Sequence, residues 1–331
     1  MIVKSRYRIK LVMLGVFLLA FAGAWAGAWA QDPISSQYYA NPLFMNPAMA
    51  GIEGNTKVSL GYRNQWPSAG ASYSTYHAAY EQYLEPAQGG IGVHLVNDRQ
   101  GGGVFNTMSL DAMYAYHLKV TRRLTVTGGF QASVGQRSFN SSGLVLPDDL
   151  LGLPTTEIQG YSKWYPDFAV GFAAFYKNIY GGFSSHHLLE PYMSPSKDPN
   201  TKLSRRYTAH LGAMIPVYEK RFGREVLQLS PNIVFLQQDI YQQINYGIEV
   251  VFKSVLAGVW VRQDLRFSYG TAIFSVGYAR DKFRFRYSYD ARLSAPELYV
   301  PTMGAHELSL IIIFENLYKS ANPGAIKSPK I

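Results

Sequence analysis

From about residue 57 to residue 315 the chain alternates apolar and polar residues with a period of two, almost without interruption. Val58, Leu60 and Tyr62 are interleaved with Ser59, Gly61 and Arg63. Met108, Leu110, Ala112, Tyr114 and Tyr116 are interleaved with Thr107, Ser109, Asp111 and His117. Ile240, Ile244, Tyr246, Ile248, Val250 and Phe252 alternate with Gln243, Asn245 and Glu249, and Phe283, Phe285, Tyr287 and Tyr289 with Arg284, Arg286 and Ser288. Successive side chains of a strand point to opposite faces, so each segment has one apolar and one polar face. The pattern predicts about fourteen strands, mostly of about nine residues or more, against the five or six usual in soluble sheets.

Alternation alone does not say which face is wet. A soluble sandwich packs its apolar faces together, whereas a membrane barrel turns them outward and keeps the polar face within. The strands have membrane-spanning length. Aromatic residues sit near strand ends, at Trp66, Tyr83, Tyr116, Tyr176, Tyr218, Trp260 and Tyr289, where an interfacial girdle would lie. The polar face is rich in Gly, Ser, Thr and Gln rather than Lys and Glu, and charged residues make up only 16% of the chain. Aromatics at 15% exclude intrinsic disorder, and dispersed apolar residues exclude a helical membrane bundle. The expected fold is all-β: a transmembrane, antiparallel, up-and-down β-barrel, closed because lipid leaves no unpaired backbone group satisfied.

The flanks read differently. Lys4, Arg6, Arg8 and Lys10 precede an apolar run at 11–22, and Ala28-Trp29-Ala30 comes before Gln31. That order is a cleavable export signal, assigned to residues 1–30. Residues 31–56 are non-periodic, with Asn41-Pro42 and Asn46-Pro47 as turn signals. They are expected outside the barrel, as a periplasmic segment. Residues 57–315 form the barrel, and 316–331 a short periplasmic tail. Both termini are expected on the periplasmic side. Long connections at 138–165 and 189–205 are expected on the outer side.

Motifs for chemistry are sparse. The chain has no Cys, so disulfides, thiolate metal sites and Cys nucleophiles are excluded. None of the seven His makes a metal-binding spacing. His186 and His187 are adjacent, so within a strand they would face opposite ways. There is no G-x-S-x-G elbow. Asp98, Asp111 or Asp167 with a lumen-facing His would suit a barrel hydrolase, but such residues more commonly serve as hydrated lumen polar groups. Arg284, Arg286 and Arg292 with Asp290 suggest a lumen ion-pair network. The net charge of +9 includes four cations in the first ten residues, and no basic cluster points to nucleic acid. No cofactor or metal is expected, and no enzymatic activity.

Several motifs together carry a family resemblance. Gln37-Tyr38-Tyr39 with Asn41-Pro42-Leu43 and Asn46-Pro47-Ala48-Met49-Ala50-Gly51 resembles the start of mature PorP/SprF proteins of Bacteroidetes. Tyr62-Arg63-Asn64-Gln65-Trp66 is similar to their first-strand motif. Tyr180-Gly181-Gly182-Phe183-Ser184 through His187, Leu188 and Pro191 resembles a mid-chain segment. Tyr287-Ser288-Tyr289-Asp290 and His306-Glu307-Leu308 resemble the closing elements, with Ala305 where the family has Ser. The likeness runs over nearly all of residues 31–315.

The resemblance implies an outer-membrane barrel of type IX secretion and gliding motility. The partners it implies are outer-membrane lipid, a secreted or surface protein with a C-terminal sorting domain, and periplasmic machinery or a peptidoglycan-binding protein. It brings no catalytic residues. Asn41, Pro42, Asn46 and Pro47 are the candidate docking or structural residues. Arg63, Trp66, His187, Asp290 and His306 join them as positions within the matching motifs. The alternative function is a small-solute channel. The two differ in the lumen: an open polar pore suits a channel, and a lumen filled by residues 31–56 or by large side chains does not.

Overall fold

A computed structural model describes residues 32–68, 73–143, 158–219, 226–266, 270–293 and 304–315. The export signal and the C-terminal tail expected from the sequence lie outside these residues. The strands are β1 (Thr56–Gln65), β2 (Tyr73–Leu84), β3 (Gly89–Gln100), β4 (Phe105–Lys119), β5 (Leu124–Phe139), β6 (Tyr161–Tyr176) and β7 (Ile179–His186), followed by β8 (Arg206–Ala213), β9 (Ile215–Glu219), β10 (Val226–Gln238), β11 (Tyr241–Phe252), β12 (Val255–Asp264), β13 (Gly270–Arg280), β14 (Phe283–Arg292) and β15 (Ala305–Phe314). Each pairs antiparallel with its neighbour, and β1 pairs with β15, from Thr56 against Phe314 to Gln65 against Ala305. β8 and β9 both pair with β10 and form one stave interrupted at Met214. The result is a closed 14-strand antiparallel barrel.

The alternation places the faces as a membrane requires. Leu60, Leu110, Phe130, Phe172, Leu211, Val259 and Phe274 are exposed on the outside. Ser59, His94, Thr127, Ser184, Thr208, Gln243, Asn245 and Ser288 are buried within. In water this would be an inside-out protein, because so large a continuous apolar surface does not stay exposed. In lipid it is the stable arrangement.

The strand termini Thr56 and Phe314 share one end with the tight connections Lys177–Asn178 and Lys253–Ser254, whose first residues take φ of 53° and 54°. This is the turn end. The long connections at 140–160 and 187–205 lie at the opposite, loop end. Short turns face the periplasm and longer loops the exterior in barrels of this kind. Ile240, read from the sequence as opening a strand, instead completes the Asp239–Ile240 turn between β10 and β11, with Asp239 at φ 52°.

Residues 32–55 correct the expectation of a periplasmic segment. They run inside the barrel, from Asp32 at the loop end to Asn55 at the turn end. Asp32 touches His187 and Arg206, Ser36 touches Asp290 and Glu307, Asn41 touches His94, and Gly51 touches Glu81. The first described residue therefore lies at the end opposite the strand termini. The physical reason is that the lumen wall is polar and glycine-rich, so the segment's backbone and amide groups find partners there that a rim would not supply. Two short helical turns shape it, α1 (Pro42–Met45) and a 3-10 turn at Pro47–Met49, each opened by a proline whose missing N–H would have no partner there.

Candidate functional site: the filled lumen

The segment meets the wall at four levels. At the loop end, Asp32 Oδ2 accepts from Arg206 Nη1 at 2.7 Å and lies 2.7 Å from His187 Nε2. His187 Nδ1 lies 2.5 Å from Asp167 Oδ2, so the ring bridges two carboxylates. Burial works against the His187 imidazolium, but Asp32 and Asp167 outweigh it and raise its pKa to about 9. Burial likewise opposes the Asp32 carboxylate, yet His187 and Arg206 hold it well below the usual range.

One level down lies the densest ion-pair cluster. Arg63 donates to Asp290 at 2.8 Å and to Glu307 at 3.0 Å, and Arg262 donates to Asp290 at 2.9 Å. Ser36 Oγ sits among them, donating to Asp290 at 2.7 Å and accepting from both guanidiniums at 2.7 Å. Glu307 takes the segment's backbone: the N–H of Ser36 at 2.7 Å, that of Gln37 at 3.3 Å, and the hydroxyl of Ser35 at 2.7 Å. Across the lumen, Tyr38 OH accepts from Gln243, and Tyr39 stacks on Trp260 at 5.3 Å with the Arg286 guanidinium 4.0 Å from its ring centre.

The helical turns occupy the middle. Asn41 Nδ2 donates to His94 Nε2 at 2.8 Å and lies 3.3 Å from His77 Nδ1, which leaves His94 Nδ1 to donate to Asp111 at 3.2 Å. Asn46 Oδ1 accepts the Ala48 N–H at 2.9 Å, capping the 3-10 turn. Its Nδ2 reaches the Phe172 carbonyl at 3.0 Å and His210 Nε2 at 3.2 Å. This close approach needs glycine in the wall: a Cβ at Gly129 would lie 2.3 Å from Ala48 N, and one at Gly171 2.0 Å from Asn46 Oδ1. At the turn end Glu53 accepts from Lys57 at 2.8 Å and from Arg284 at 2.9 Å, and Lys57 also meets Glu81 at 2.7 Å. Burial opposes the Glu53 carboxylate, but Lys57 and Arg284 lower its pKa.

The structure thus distributes the residues singled out from the sequence. Asn41, Pro42, Asn46 and Pro47 are buried at the heart of the lumen segment. Arg63 and Asp290 meet each other and Ser36, and His187 meets Asp32. Trp66 and His306 stand apart at the loop end. Trp66 packs edge-on against Tyr73 at 5.3 Å, with its backbone N–H donating to the Gly304 carbonyl, and His306 lies 2.8 Å from the Tyr287 hydroxyl.

The suggested arginine network divides: Arg284 pairs with Glu53 and Arg286 with Glu249, while Asp290 takes Arg63 and Arg262. His186 and His187 do not face opposite ways, because His187 leaves the strand at φ 58° and turns its ring back toward the lumen. The two Asp–His pairs, Asp111–His94 and Asp167–His187, hold the segment through Asn41 and Asp32. Among the described residues, no group of three or more His, Cys, Asp and Glu side chains is placed to hold a metal ion. Sequence reasoning missed Asp32, Ser36, Arg206, Arg262 and Glu307. A usable signal was the set of charged residues at lumen-facing strand positions without an opposite charge nearby in sequence.

A closed barrel with an apolar exterior and a polar lumen threaded by its own N-terminal segment defines an outer-membrane β-barrel protein. The chain belongs to the PorP/SprF family: the family described as type IX secretion system membrane protein PorP/SprF matches residues 28–312. No curated protein matches the sequence. Among solved structures, the chain is similar to the Ralstonia pickettii toluene transporter TbuX, with 13% identity, a TM-score of 0.48, and 84% of this chain and 93% of that chain covered. It is also similar to the monoaromatic hydrocarbon channel CymD, with 13% identity, a TM-score of 0.46, and 84% and 94% covered. A third similar structure is the Acinetobacter baumannii outer membrane protein Omp33, with 9% identity, a TM-score of 0.44, and 79% and 100% covered.

Proposed function

We propose that this protein is a non-enzymatic docking or anchoring barrel of type IX secretion. It holds a secreted or surface protein bearing a C-terminal sorting domain, and it links the outer membrane to periplasmic machinery or a peptidoglycan-binding protein. The observation that carries this reading is the lumen, filled along its length by residues 32–55, which favours a scaffold over a solute path. A barrel of fourteen strands is also too narrow to thread a folded protein, since diameter grows with strand number. Recognition then falls to the loop end and the rims, by loop contacts or strand addition. The reading as a small-solute channel requires the segment to leave.

The test is an affinity pull-down from detergent-solubilised outer membranes, read by mass spectrometry, with gene deletion beside it. Recovery of a sorting-domain protein or of periplasmic machinery, together with loss of surface display on deletion, is the expected result. Unchanged secretion and display of all sorting-domain proteins would sink the proposal.

A further inference from the structure

Between the lumen segment and the wall formed by β3 to β7 lies a cavity of about 70 Å³, room for about five water-sized bodies. Its lining is acidic. The cross-strand register sets Asp111, Ser133 and Asp167 side by side on β4, β5 and β6, where such neighbours stand about 5 Å apart. Asp32 and Asp98 complete four carboxylates at the cavity. Arg206 and His187 are engaged by Asp32 and Asp167. Asp98 accepts from Thr75 and Gln100, and Asp111 lies 3.2 Å from His94 Nδ1. Arg137 lies in the same row as Asp98, two strands on, with Nη1 donating to Thr107 Oγ1 at 3.3 Å and its guanidinium 5.0 Å from the Phe105 ring centre.

Two further side chains point to a ligand. Gln131 Oε1 is buried, lines the cavity and has no hydrogen-bond partner. His186 is buried there too, and neither of its ring nitrogens has a partner. Buried polar atoms are otherwise paired almost everywhere in folded proteins. Beside these groups, Leu43, Phe44, Val96 and Leu203 give the cavity an apolar floor and cover. Half-exposed Pro33 and Thr107 mark its edge toward the loop end.

We propose that this cavity binds a small organic cation, a guanidinium or primary ammonium on a short alkyl stem. The head group donates to Asp111 and to Gln131 Oε1, which lie two residues out of register on adjacent strands β4 and β5, and with the carboxylate it forms the short charge-assisted hydrogen bonds such donors make. The stem lies on Leu43 and Phe44. A divalent cation fits less well, because it needs several oxygens converging within about 2.6 Å, and among the described residues no such cluster of carboxylates and imidazoles exists.

The experiment is calorimetric titration of the full-length, detergent-solubilised barrel with butylguanidinium, with its neutral isostere butylurea, and with magnesium chloride. A single saturable site for butylguanidinium and none for butylurea is expected, with binding at least about tenfold weaker in Asp111→Asn and weaker also in Gln131→Leu. The heat-modifiable gel shift of each variant establishes that its barrel is folded. The native protein alone suffices if a variant does not fold. No saturation up to about 10 mM, the millimolar limit of weak binding, would overturn the proposal. So would equal binding of butylurea, binding unchanged in both folded variants, or magnesium saturating the site in place of butylguanidinium.

Discussion

Replacing Glu307 by Gln removes a negative charge where the wall grips the backbone of residues 35–37. The carboxylate accepts from Ser36 N at 2.7 Å, Ser35 Oγ at 2.7 Å, Gln37 N at 3.3 Å and Arg63 Nη1 at 3.0 Å. A hydrogen bond to a charged group contributes about 1.5–3 kcal/mol. The amide keeps one acceptor oxygen but turns an NH₂ toward groups that are themselves donors. Arg63 keeps Asp290, so the loss falls largely on the segment, and a net cost of about 3 kcal/mol is expected. That corresponds to about a hundredfold larger population with the segment displaced. The barrel itself is held by its backbone ladders and stays closed.

The chain has no Cys, so Ala40→Cys, at a site 3% exposed, supplies a unique reporter. When opening and closing are fast, its rate of labelling by a charged maleimide follows the open population. Glu307→Gln in the Ala40→Cys background should label about a hundredfold faster than the background alone. Equal rates in the two proteins would refute the reasoning that Glu307 holds the segment in place.

Three other outcomes follow from the same geometry. Gly129→Val places a branched side chain against the Ala48 backbone, and overpacking of this kind costs about 1–3 kcal/mol or more. Limited proteolysis of residues 32–55 should become detectable in the folded variant, and a protease-resistant segment would contradict this. The pKa of His187, raised from 6.5 to about 9, stabilises the loop-end latch fully below 6.5 and loses that contribution as pH rises through 9. Proteolysis near Asp32 should therefore rise between pH 7 and 10, and His187→Gln should flatten that rise. Leu110→Arg puts a charge on the outer face of β4 and should destabilise the barrel by about 2–4 kcal/mol if it sits near the bilayer midplane. Urea-dependent folding into vesicles measures this, and an unchanged midpoint would place Leu110 outside the hydrocarbon.

The barrel was legible because its signal is periodic. Leu60, Leu110, Phe172 and Phe274 mark the lipid face through simple alternation, and the period of two survives without knowledge of what the polar face touches. The lumen segment was not legible in the same way. Residues such as Asn41, Asn46 and Ala48 are surrounded by the wall on every side, so the segment has no face turned to water or lipid and no period develops. Their partners, Glu307, Arg63, Gly129 and Gly171, are remote in sequence, and only the closed register brings them around one axis. Asn41-Pro42 and Asn46-Pro47 were readable as turns, and they are turns. Their placement inside the wall was not readable, because turn chemistry specifies local φ and ψ and not the surroundings. His187 shows the same limit: a left-handed φ at the end of β7 reverses the face that alternation assigns to it.

The most direct test of a barrel closed by its own N-terminal segment is single-channel conductance of the purified full-length protein in planar bilayers. Residues 32–55 occupy the lumen, so the intact protein should show no stable open-channel steps. A variant lacking residues 32–55 that keeps its heat-modifiable gel shift should show them. Stable steps from the intact protein, of the same size as those of the deletion, would contradict the account.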